Sequence, residues 1–243
     1  MTRVARIAVA LSLVVAGFFA LYEFVDAPQS GWFGPALVRG HGRVVALTFD
    51  DGPNPARTPA LLDLLERERV PATFFVVGRA VAAHPDLVRR MLHDGDELGN
   101  HTQLHAHLNV LPPAAIRREI LAADAAIVAA GGRAPAWLRP PFGARNAATF
   151  EVARALGKRV VLWSAMPPDA EFPDAGRAAA IERWLEGAGD GPIVVLHDGD
   201  RGRDGSGGRS AEARDDTLAV IRSFRARGYR FVTMSQLVAG NAA

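Results

Sequence analysis

The chain contains no cysteine, and this absence excludes disulfides, iron–sulfur clusters, thiolate zinc sites and a cysteine nucleophile. Any metal must therefore be bound by histidine, aspartate or glutamate. Lysine is almost missing as well, since Lys158 is the only lysine among 28 basic side chains and the others are arginine. These 28 side chains nearly balance 26 acidic ones and form no concentrated basic patch, so we expect no nucleic-acid partner.

A long uncharged run occupies residues 7–22 near the N-terminus and follows Arg3 and Arg6. Its length falls between the core of a signal peptide, about 7–15 residues, and the roughly 20 residues of a membrane span. The sequence therefore predicts an N-terminal hydrophobic helix within residues 1–26 that is a membrane anchor or a cleaved signal peptide. A core helix of the domain is a third alternative. Both leading interpretations place the rest of the chain outside the cytoplasmic membrane, in the periplasm or at the cell surface.

The remainder of the chain alternates between strand and helix patterns. Residues 27–42 are rich in proline and glycine and are predicted to be a linker, and a single domain follows at 43–238. Apolar runs predict seven strands, at 44–49, 72–77, 97–101, 137–139, 159–163, 193–197 and 230–233. Helical patterns lie at 58–68, 86–92, 114–130, 147–156, 176–185 and 211–227. This alternation indicates an α/β fold with a parallel sheet, either a closed or nearly closed barrel or an open doubly wound sheet.

Two adjacent carboxylates, Asp50 and Asp51, end the first predicted strand, and Gly52 and Pro53 then force a turn. In parallel α/β folds the active site lies at the carboxyl ends of the strands. Neighbouring strand residues point to opposite sides, so the turn can present both carboxylates to one site from different angles. One carboxylate can then bind a metal while the other accepts a proton. A polar turn that caps a strand explains this motif equally well when it is considered alone.

His101 ends the third predicted strand, and His105 follows four residues later, a spacing that lets both bind one metal if they lie on a helical turn. The spacing alone is a weak signal, because scattered surface histidines also produce it. Position 102 is threonine, so the HExxH motif of zinc proteases is absent. Together with one of the two adjacent carboxylates, the two histidines would leave coordination positions open for water and substrate. Two histidines and one carboxylate also suit an iron oxygenase, which is a less favoured alternative.

Arg139 and His197 end the fourth and sixth predicted strands. The guanidinium of Arg139 can hold a base carboxylate with two hydrogen bonds, and His197 can donate a proton to a leaving group. The prolines after Arg139 have no N–H, so the backbone N–H of Phe142 is the candidate donor to an oxyanion. Each motif alone also fits a structural loop or a buried histidine. The remaining histidines, His41, His84, His93 and His107, are interpreted as surface or structural residues, with His107 as a minor exception because it lies close to the histidine motif.

The motifs TFDDGP, HTQLH, RPPFG and LHD follow one another at predicted strand ends. This order resembles the polysaccharide deacetylases, the NodB-homology domain of carbohydrate esterase family 4, over residues 43–238. The resemblance implies a distorted (β/α) barrel of about seven parallel strands with outer helices. It also implies a hydrolase that removes acetyl groups from N-acetylated sugars of a cell-wall or extracellular glycan, either peptidoglycan or a chitin-like oligosaccharide.

The resemblance further implies a cofactor and its ligands. By the pattern of the family, Asp51, His101 and His105 are the ligands of one divalent metal. That metal is usually zinc in the family, and sometimes cobalt, nickel or another divalent ion. The chemistry of the side chains indicates the two histidines and one of the two aspartates, and the resemblance assigns the role of ligand to Asp51.

The resemblance also implies catalytic roles for other residues of the motifs. Asp50 resembles the general base, Arg139 the group that holds it, and His197 the general acid. Phe142 lies at a position where the family commonly has tyrosine or phenylalanine, whose backbone N–H stabilises the oxyanion. Trp163 is a candidate for lining the sugar site, although packing in the core explains it equally well.

The segment WSAMPPDA departs from the pattern of the family. Family members often have aspartate where Met166 stands and tryptophan where Ala170 stands. That aspartate partners the acid histidine, so His197 lacks this partner or receives another, with Asp169 and Asp198 as candidates. The departure motivates a different prediction, a glycan-binding protein with a degenerate catalytic site. An esterase that removes O-acetyl groups from a polysaccharide is a further alternative.

Overall fold

The computed structural model of the protein describes residues 27–167, 176–199 and 210–240, together with Ser12 and Gly17. The rest of the predicted hydrophobic helix at 1–26 lies outside the described residues, as do Asp169 and Ala170. Within the described part of the chain, no helix has the length and apolar character needed to cross a membrane.

Seven strands form one sheet, and each begins inside a run that the sequence predicted. They are β1 (Val44–Asp50), β2 (Thr73–Val76), β3 (Glu97–Asn100), β4 (Trp137–Leu138), β5 (Arg159–Val160), β6 (Ile193–His197) and β7 (Arg230–Val232). The order in the sheet is β5-β4-β3-β2-β1-β6, and all the ladders are parallel. The first residues of β1 pair with β7, and the remainder pairs with β6.

Helices cover the outer side of the sheet, except for the last one, whose Met234 and Leu237 pack in the interior of the barrel. They are α1 (Thr58–Glu68), α2 (Gly78–Ala83), α3 (Pro85–His93), α4 (Pro113–Ala129), α5 (Ala147–Ala155), α6 (Arg177–Leu185), α7 (Ser210–Ala226) and α8 (Met234–Ala239). The sequence predicted six of these as helices and missed α2 and α8. Each missed helix is less than two turns long, too short to display the helical period in its apolar residues.

The sheet curls into a distorted barrel and is not an open doubly wound sheet. Its two edges, β5 and β6, approach each other, and Ala165 beyond β5 forms a parallel bridge with Val194 of β6. Leu37 pairs with Val161 beside the same edge. The predicted fold class is therefore confirmed for the domain, and the barrel is closed by single bridges where a regular barrel would have ladders.

Alternating residues of β1 face the two sides of the sheet. Val45, Leu47 and Phe49 belong to the outer cluster, where they pack with leucines of α1. Ala46 belongs to the inner cluster of the barrel. Because side chains alternate along a strand, Thr48 and Asp50 share the inner face with Ala46. The strand period therefore directs Asp50 to the interior at the carboxyl end of the barrel.

The stretch 27–42, which was predicted to be a linker, is packed against the barrel. The N–H of Leu37 donates to the carbonyl of Val160, and the carbonyl of Leu37 accepts from Leu162, both at 2.9 Å. Ala27 is buried, and its carbonyl accepts a hydrogen bond from Arg145. Composition alone did not reveal these contacts, because they join segments far apart in sequence. The domain boundary at residue 43 remains a prediction.

Candidate active site

The two carboxylates at the end of β1 diverge as the chain leaves the strand. Asp50 is still in the sheet, where its Cα is paired with that of His197 in β6. Asp51 has a left-handed backbone, with φ of 76°, so its side chain leaves in a different direction. Gly52 follows, and a Cβ at that position would lie 2.3 Å from the carboxylate of Asp198. The turn therefore requires glycine, and it separates the two acids as the sequence predicted.

The ligand atoms of Asp51, His101 and His105 all lie within 4.8 Å of one another. Oδ1 of Asp51 lies 2.9 Å from Nε2 of His105 and 3.3 Å from Nε2 of His101. This oxygen is buried, yet it accepts no well-oriented hydrogen bond from the described residues. Nδ1 of His101 lies 2.7 Å from the carbonyl of Arg139, so Nδ1 carries the proton and Nε2 presents its lone pair. A carboxylate oxygen without a donor, facing two imidazole nitrogens, fits a divalent cation.

Neighbouring side chains shift the pKa values of Asp51 and His101. Burial acts to raise the pKa of Asp51, but the adjacent His101 and His105 rings outweigh it and hold that pKa well below its usual range. Burial acts to lower the pKa of His101, and the charges of Asp50 and Asp51 outweigh it, so the pKa of His101 is raised. Asp51 is therefore an ionised carboxylate, as a metal ligand must be.

Left-handed backbone conformations concentrate at this site. Apart from Arg69, the non-glycine residues with positive φ in the described part of the chain lie here, namely Asp51 (76°), Thr102 (68°), His105 (60°) and Phe142 (60°). Such conformations persist only where the surrounding contacts enforce them. The site is therefore preformed by contacts with the rest of the barrel, and these contacts identify residues that support the ligands.

Arg139 is fully buried and holds one oxygen of Asp50. Its Nη1 donates to Oδ1 of Asp50 at 2.7 Å and to Oγ1 of Thr48 at 2.8 Å, while Nη2 donates to the carbonyl of Leu162 at 3.1 Å. The prediction of two hydrogen bonds from Arg139 to Asp50 is therefore wrong, because Nη2 donates to the carbonyl of Leu162 instead. Oδ2 of Asp50 remains 3.9 Å from Nε2 of His101 and faces the histidine cluster.

His197 is half-buried beside Asp50, at the end of β6. Burial lowers its pKa, and the charges of Asp50 and Asp51 only partly offset that effect. Met166, which stands where family members often have the aspartate that partners this histidine, is 43% exposed. Asp198, one suggested partner of His197, has its carboxyl directed elsewhere, since Oδ2 accepts from Oγ1 of Thr58 at 2.6 Å and the group lies against Gly52. The other suggested partner, Asp169, lies outside the described residues.

Phe142 presents an exposed ring at the mouth of the site. The ring is 56% exposed, stacks on His107 at 4.1 Å between centroids and meets the edge of His105 at 4.6 Å. His107, predicted to be a surface or structural residue, is therefore part of the site. Trp163 is partly buried and packs against the inner cluster of the barrel, with the guanidinium of Arg139 at 6.0 Å from its ring.

Three further supporting residues were missed from the sequence. Thr48 accepts from Arg139, and Oδ1 of Asn100 accepts from the N–H of Thr102 at 2.8 Å. Buried Arg145 donates to the carbonyl of Gly143, next to Phe142, and to that of Ala27. Thr48 could have been found from its place two residues before Asp50. Asn100 could have been found as the residue before His101, whereas Arg145 has no signal in the sequence.

The sequence of the chain is similar to a known family and to proteins of known activity. The chain matches the family described as polysaccharide deacetylase over residues 38–161. It is 38% identical over 200 residues to a chitooligosaccharide deacetylase of Bradyrhizobium sp. (strain ANU 289), covering 80% of this chain and 90% of that protein. It is 35% identical over 201 residues to a peptidoglycan-N-acetylglucosamine deacetylase of Bacillus cereus, covering 83% of this chain and 91% of that protein.

Solved structures are similar over the same part of the chain. The Bc1960 peptidoglycan N-acetylglucosamine deacetylase superimposes with a TM-score of 0.75 at 28% identity, covering 83% of this chain and 91% of that chain. A family 4 carbohydrate esterase from Streptomyces lividans gives a TM-score of 0.69 at 28% identity, with 80% and 94% covered. These matches confirm both the resemblance suggested by the order of the motifs and the predicted barrel.

Proposed function

Because the chain belongs to the polysaccharide deacetylase family, we propose that it is a metal-dependent hydrolase that removes acetyl groups from N-acetylated sugars of a glycan. The observation that carries this proposal is the cluster of Asp51, His101 and His105 beside Asp50. Relatives named as chitooligosaccharide and peptidoglycan-N-acetylglucosamine deacetylases support peptidoglycan or a chitin-like oligosaccharide as the substrate.

Asp51, His101 and His105 would hold one divalent metal, for which we propose zinc, with cobalt or nickel as alternatives. Two imidazole nitrogens and one carboxylate are a common ligand set of catalytic zinc, and they leave coordination positions open. When bound, such a cation polarises a carbonyl oxygen and lowers the pKa of a bound water. Asp51 contributes a permanent negative charge, because the two histidines keep its pKa low.

Asp50 is proposed as the general base that accepts a proton from the attacking water. Arg139 holds Oδ1 of Asp50, which leaves Oδ2 facing the histidine cluster where the water would lie. Thr48 and Leu162 fix the guanidinium in turn, so Asp50 has a defined orientation. A positioned base of this kind contributes about 10²–10⁴-fold to the rate.

His197 is proposed as the general acid that protonates the departing amine of the sugar. Its lowered pKa makes the protonated ring a stronger proton donor than an exposed histidine. The backbone N–H of Phe142 is proposed to donate to the oxyanion, and its left-handed turn supports this assignment. Trp163 and the exposed ring of Phe142 are proposed to line the path of the sugar.

The domain is proposed to act outside the cytoplasmic membrane, in the periplasm or at the cell surface. The relatives named as peptidoglycan deacetylases support this location, because peptidoglycan lies outside that membrane. Residues 1–26 are proposed to be a membrane anchor or a signal peptide, on the basis of the uncharged run at 7–22 and the arginines that precede it.

The test is acetate release by the full-length protein after removal of metal with a chelator. N-acetylglucosamine oligomers, peptidoglycan and acetylated xylan are assayed with and without added Zn²⁺ or Co²⁺. We expect metal-restored release from one of the two N-acetylated substrates. Release only from xylan would instead identify an O-acetyl esterase. Binding of glycan and metal without any release would identify a binding protein, the alternative that the replacement of an acid by Met166 motivates.

A further inference from the structure

The only lysine of the chain is buried, although lysine is the basic residue that most readily remains in solvent. Nζ of Lys158 donates to Oδ1 of Asp124 at 2.9 Å, contacts Oδ2 of Asp124 at 2.8 Å and donates to the carbonyl of Pro135. The three N–H groups of an ammonium thus have three acceptors. The compact ammonium of a lysine, with its three donors, meets this requirement.

Asp124 in turn fixes the side chain of Asn100, at the end of β3. Nδ2 of Asn100 donates to Oδ1 of Asp124 and to the carbonyl of Ile120, both at 2.8 Å. Both partners are acceptors, so the amide has only one orientation that satisfies them. This orientation turns Oδ1 of Asn100 toward the N–H of Thr102, from which it accepts at 2.8 Å.

The peptide of Thr102 lies between the two proposed metal-binding histidines. Thr102 has a left-handed backbone, with φ of 68°, in spite of its β-branched side chain. Such a conformation needs external support. The hydrogen bond from its N–H to Asn100 provides that support on one side, and the N–H of Gly78 donates to the carbonyl of Thr102 on the other. The turn at Thr102 then directs His101 and His105 toward the same carboxylate.

We propose that Asp124 is a positioning residue for the metal site, which acts through Asn100 on the turn at Thr102, and that Lys158 holds the carboxylate of Asp124 in place. The inference rests on the proposed metal ligands and does not depend on the identity of the glycan. Asp124 lies outside the sequence motifs of the active site. Its side chain bonds to Asn100 and Lys158, so it acts on the catalytic groups only through other residues. A preset turn lowers the cost of bringing two histidines to one cation.

A purely structural ion pair would behave differently. Replacing a buried ion pair by neutral residues of similar volume is often tolerated without loss of stability. Two double variants of the full chain therefore provide a matched comparison. Lys158→Met/Asp124→Asn removes both charges and keeps an oxygen that accepts from Nδ2 of Asn100. Lys158→Met/Asp124→Leu removes both charges and the acceptor together.

The measurement is the affinity of the metal-free protein for Zn²⁺, by competition with a chelator, at a temperature at which every variant is folded. We expect Lys158→Met/Asp124→Leu to bind about 10–100-fold more weakly than the wild type, the usual effect of losing a partner that orients a ligand. Lys158→Met/Asp124→Asn should bind within about threefold of the wild type, since it retains the acceptor that orients Asn100. Arg90→Met, which breaks the exposed contacts of α3 with Asp63 and Asp94, is the control and should bind as the wild type does.

Equal zinc affinity in both double variants, with the wild type binding normally, would overturn the positioning role and leave the proposed function intact. A wild-type protein that binds no zinc would overturn the proposed metal site, and this inference with it. If Lys158→Met/Asp124→Leu does not fold, Lys158→Met/Asp124→Ala takes its place, because alanine also removes the acceptor for Nδ2 of Asn100. Weaker zinc binding by this variant than by Lys158→Met/Asp124→Asn supports the role, whereas equal binding refutes it.

Discussion

A buried or partly buried carboxylate lies near each end of strand β3, and the two differ in the hydrogen bonds that they accept. At its amino end, the carboxylate of Glu97 accepts from Nε1 of Trp137 at 2.7 Å, from the N–H of Ser235 at 2.9 Å and from the Ser235 hydroxyl. Near its carboxyl end, Oδ1 of Asp51 is buried among histidines and accepts no well-oriented hydrogen bond from the described residues. A carboxylate that accepts several hydrogen bonds, such as Glu97, connects separate segments of the fold. A carboxylate oxygen without donors, such as Oδ1 of Asp51, still has lone pairs that can bind a cation.

The pKa values of the buried acids show the same contrast. Asp96 lies just before β3, and burial raises its pKa to about 7, only partly opposed by the N–H of Ala72. Asp51 is also buried, but the histidines beside it hold its pKa well below the usual range. Burial alone therefore does not make an acid functional. The neighbours decide whether it is neutralised by a proton or remains charged for a metal.

The largest expected effect comes from removing a ligand at the carboxyl end. His101→Ala should abolish binding of one equivalent of metal and lower acetate release by about 10⁴-fold, since a catalytic cation supplies several kcal/mol to the transition state. The measurement is metal stoichiometry together with turnover. The matched change at the amino end is Glu97→Gln, which should bind metal normally. A His101→Ala variant with full metal content would contradict the assignment of this ligand.

Next in size is the loss of the proposed base. Asp50→Asn should lower turnover by about 10²-fold or more while metal binding is retained, because the amide cannot accept a proton from water. Steady-state kinetics and metal titration on the same sample separate the two properties. Full activity in this variant would show that Asp50 is not the base.

A smaller effect is expected on stability at the amino end. The folded-state pKa of Asp96 lies above its unfolded value. The contribution of Asp96 to the free energy of unfolding is therefore fully retained below about pH 4 and decreases as the pH rises through about 7. Asp96→Asn keeps an acceptor for the N–H of Ala72 and carries no charge. It should therefore raise the melting temperature by several degrees at pH 8 and by clearly less at pH 5, since each unit between the folded and unfolded pKa corresponds to about 1.4 kcal/mol. Equal effects at both pH values would show that Asp96 is ionised in the fold.

The smallest expected effect concerns the stack of His107 on Phe142. His107→Ala should lower kcat/KM by about 2–10-fold, because an aromatic pair contributes about 0.5–1.5 kcal/mol. His107→Tyr can retain the stack and is the control that should recover activity. Equal losses in both variants would indicate that the stack itself does not support Phe142.

The strand starts and the motif residues could be predicted because each is a local property of the chain. Apolar runs marked the strands, and Asp50, His101 and His197 were found because parallel strands bring their carboxyl ends together. The positions of Arg145 and Asp124 depend on contacts between segments far apart in sequence, which no periodicity encodes. The packing of 27–42 was missed for the same reason, since its proline and glycine content is also that of a linker.

The single hydrogen bond from Arg139 to Asp50 illustrates the same limit. Sequence chemistry correctly paired a guanidinium with a carboxylate, but the number of bonds depends on competing acceptors. Leu162 and Thr48 each take one other donor of the guanidinium, because β1 and the segment after β5 both reach Arg139. A prediction of geometry therefore needed the tertiary fold, even where the chemistry was readable from the residues.

The central claim is that Asp51, His101 and His105 hold one catalytic cation. The most direct test adds Zn²⁺ stepwise to metal-free wild-type protein and measures acetate release from N-acetylglucosamine oligomers or peptidoglycan at each step. We expect activity to rise in proportion to zinc and to level off at one equivalent. Acetate release that is equally fast before any zinc is added, or that does not follow zinc occupancy, would contradict the account.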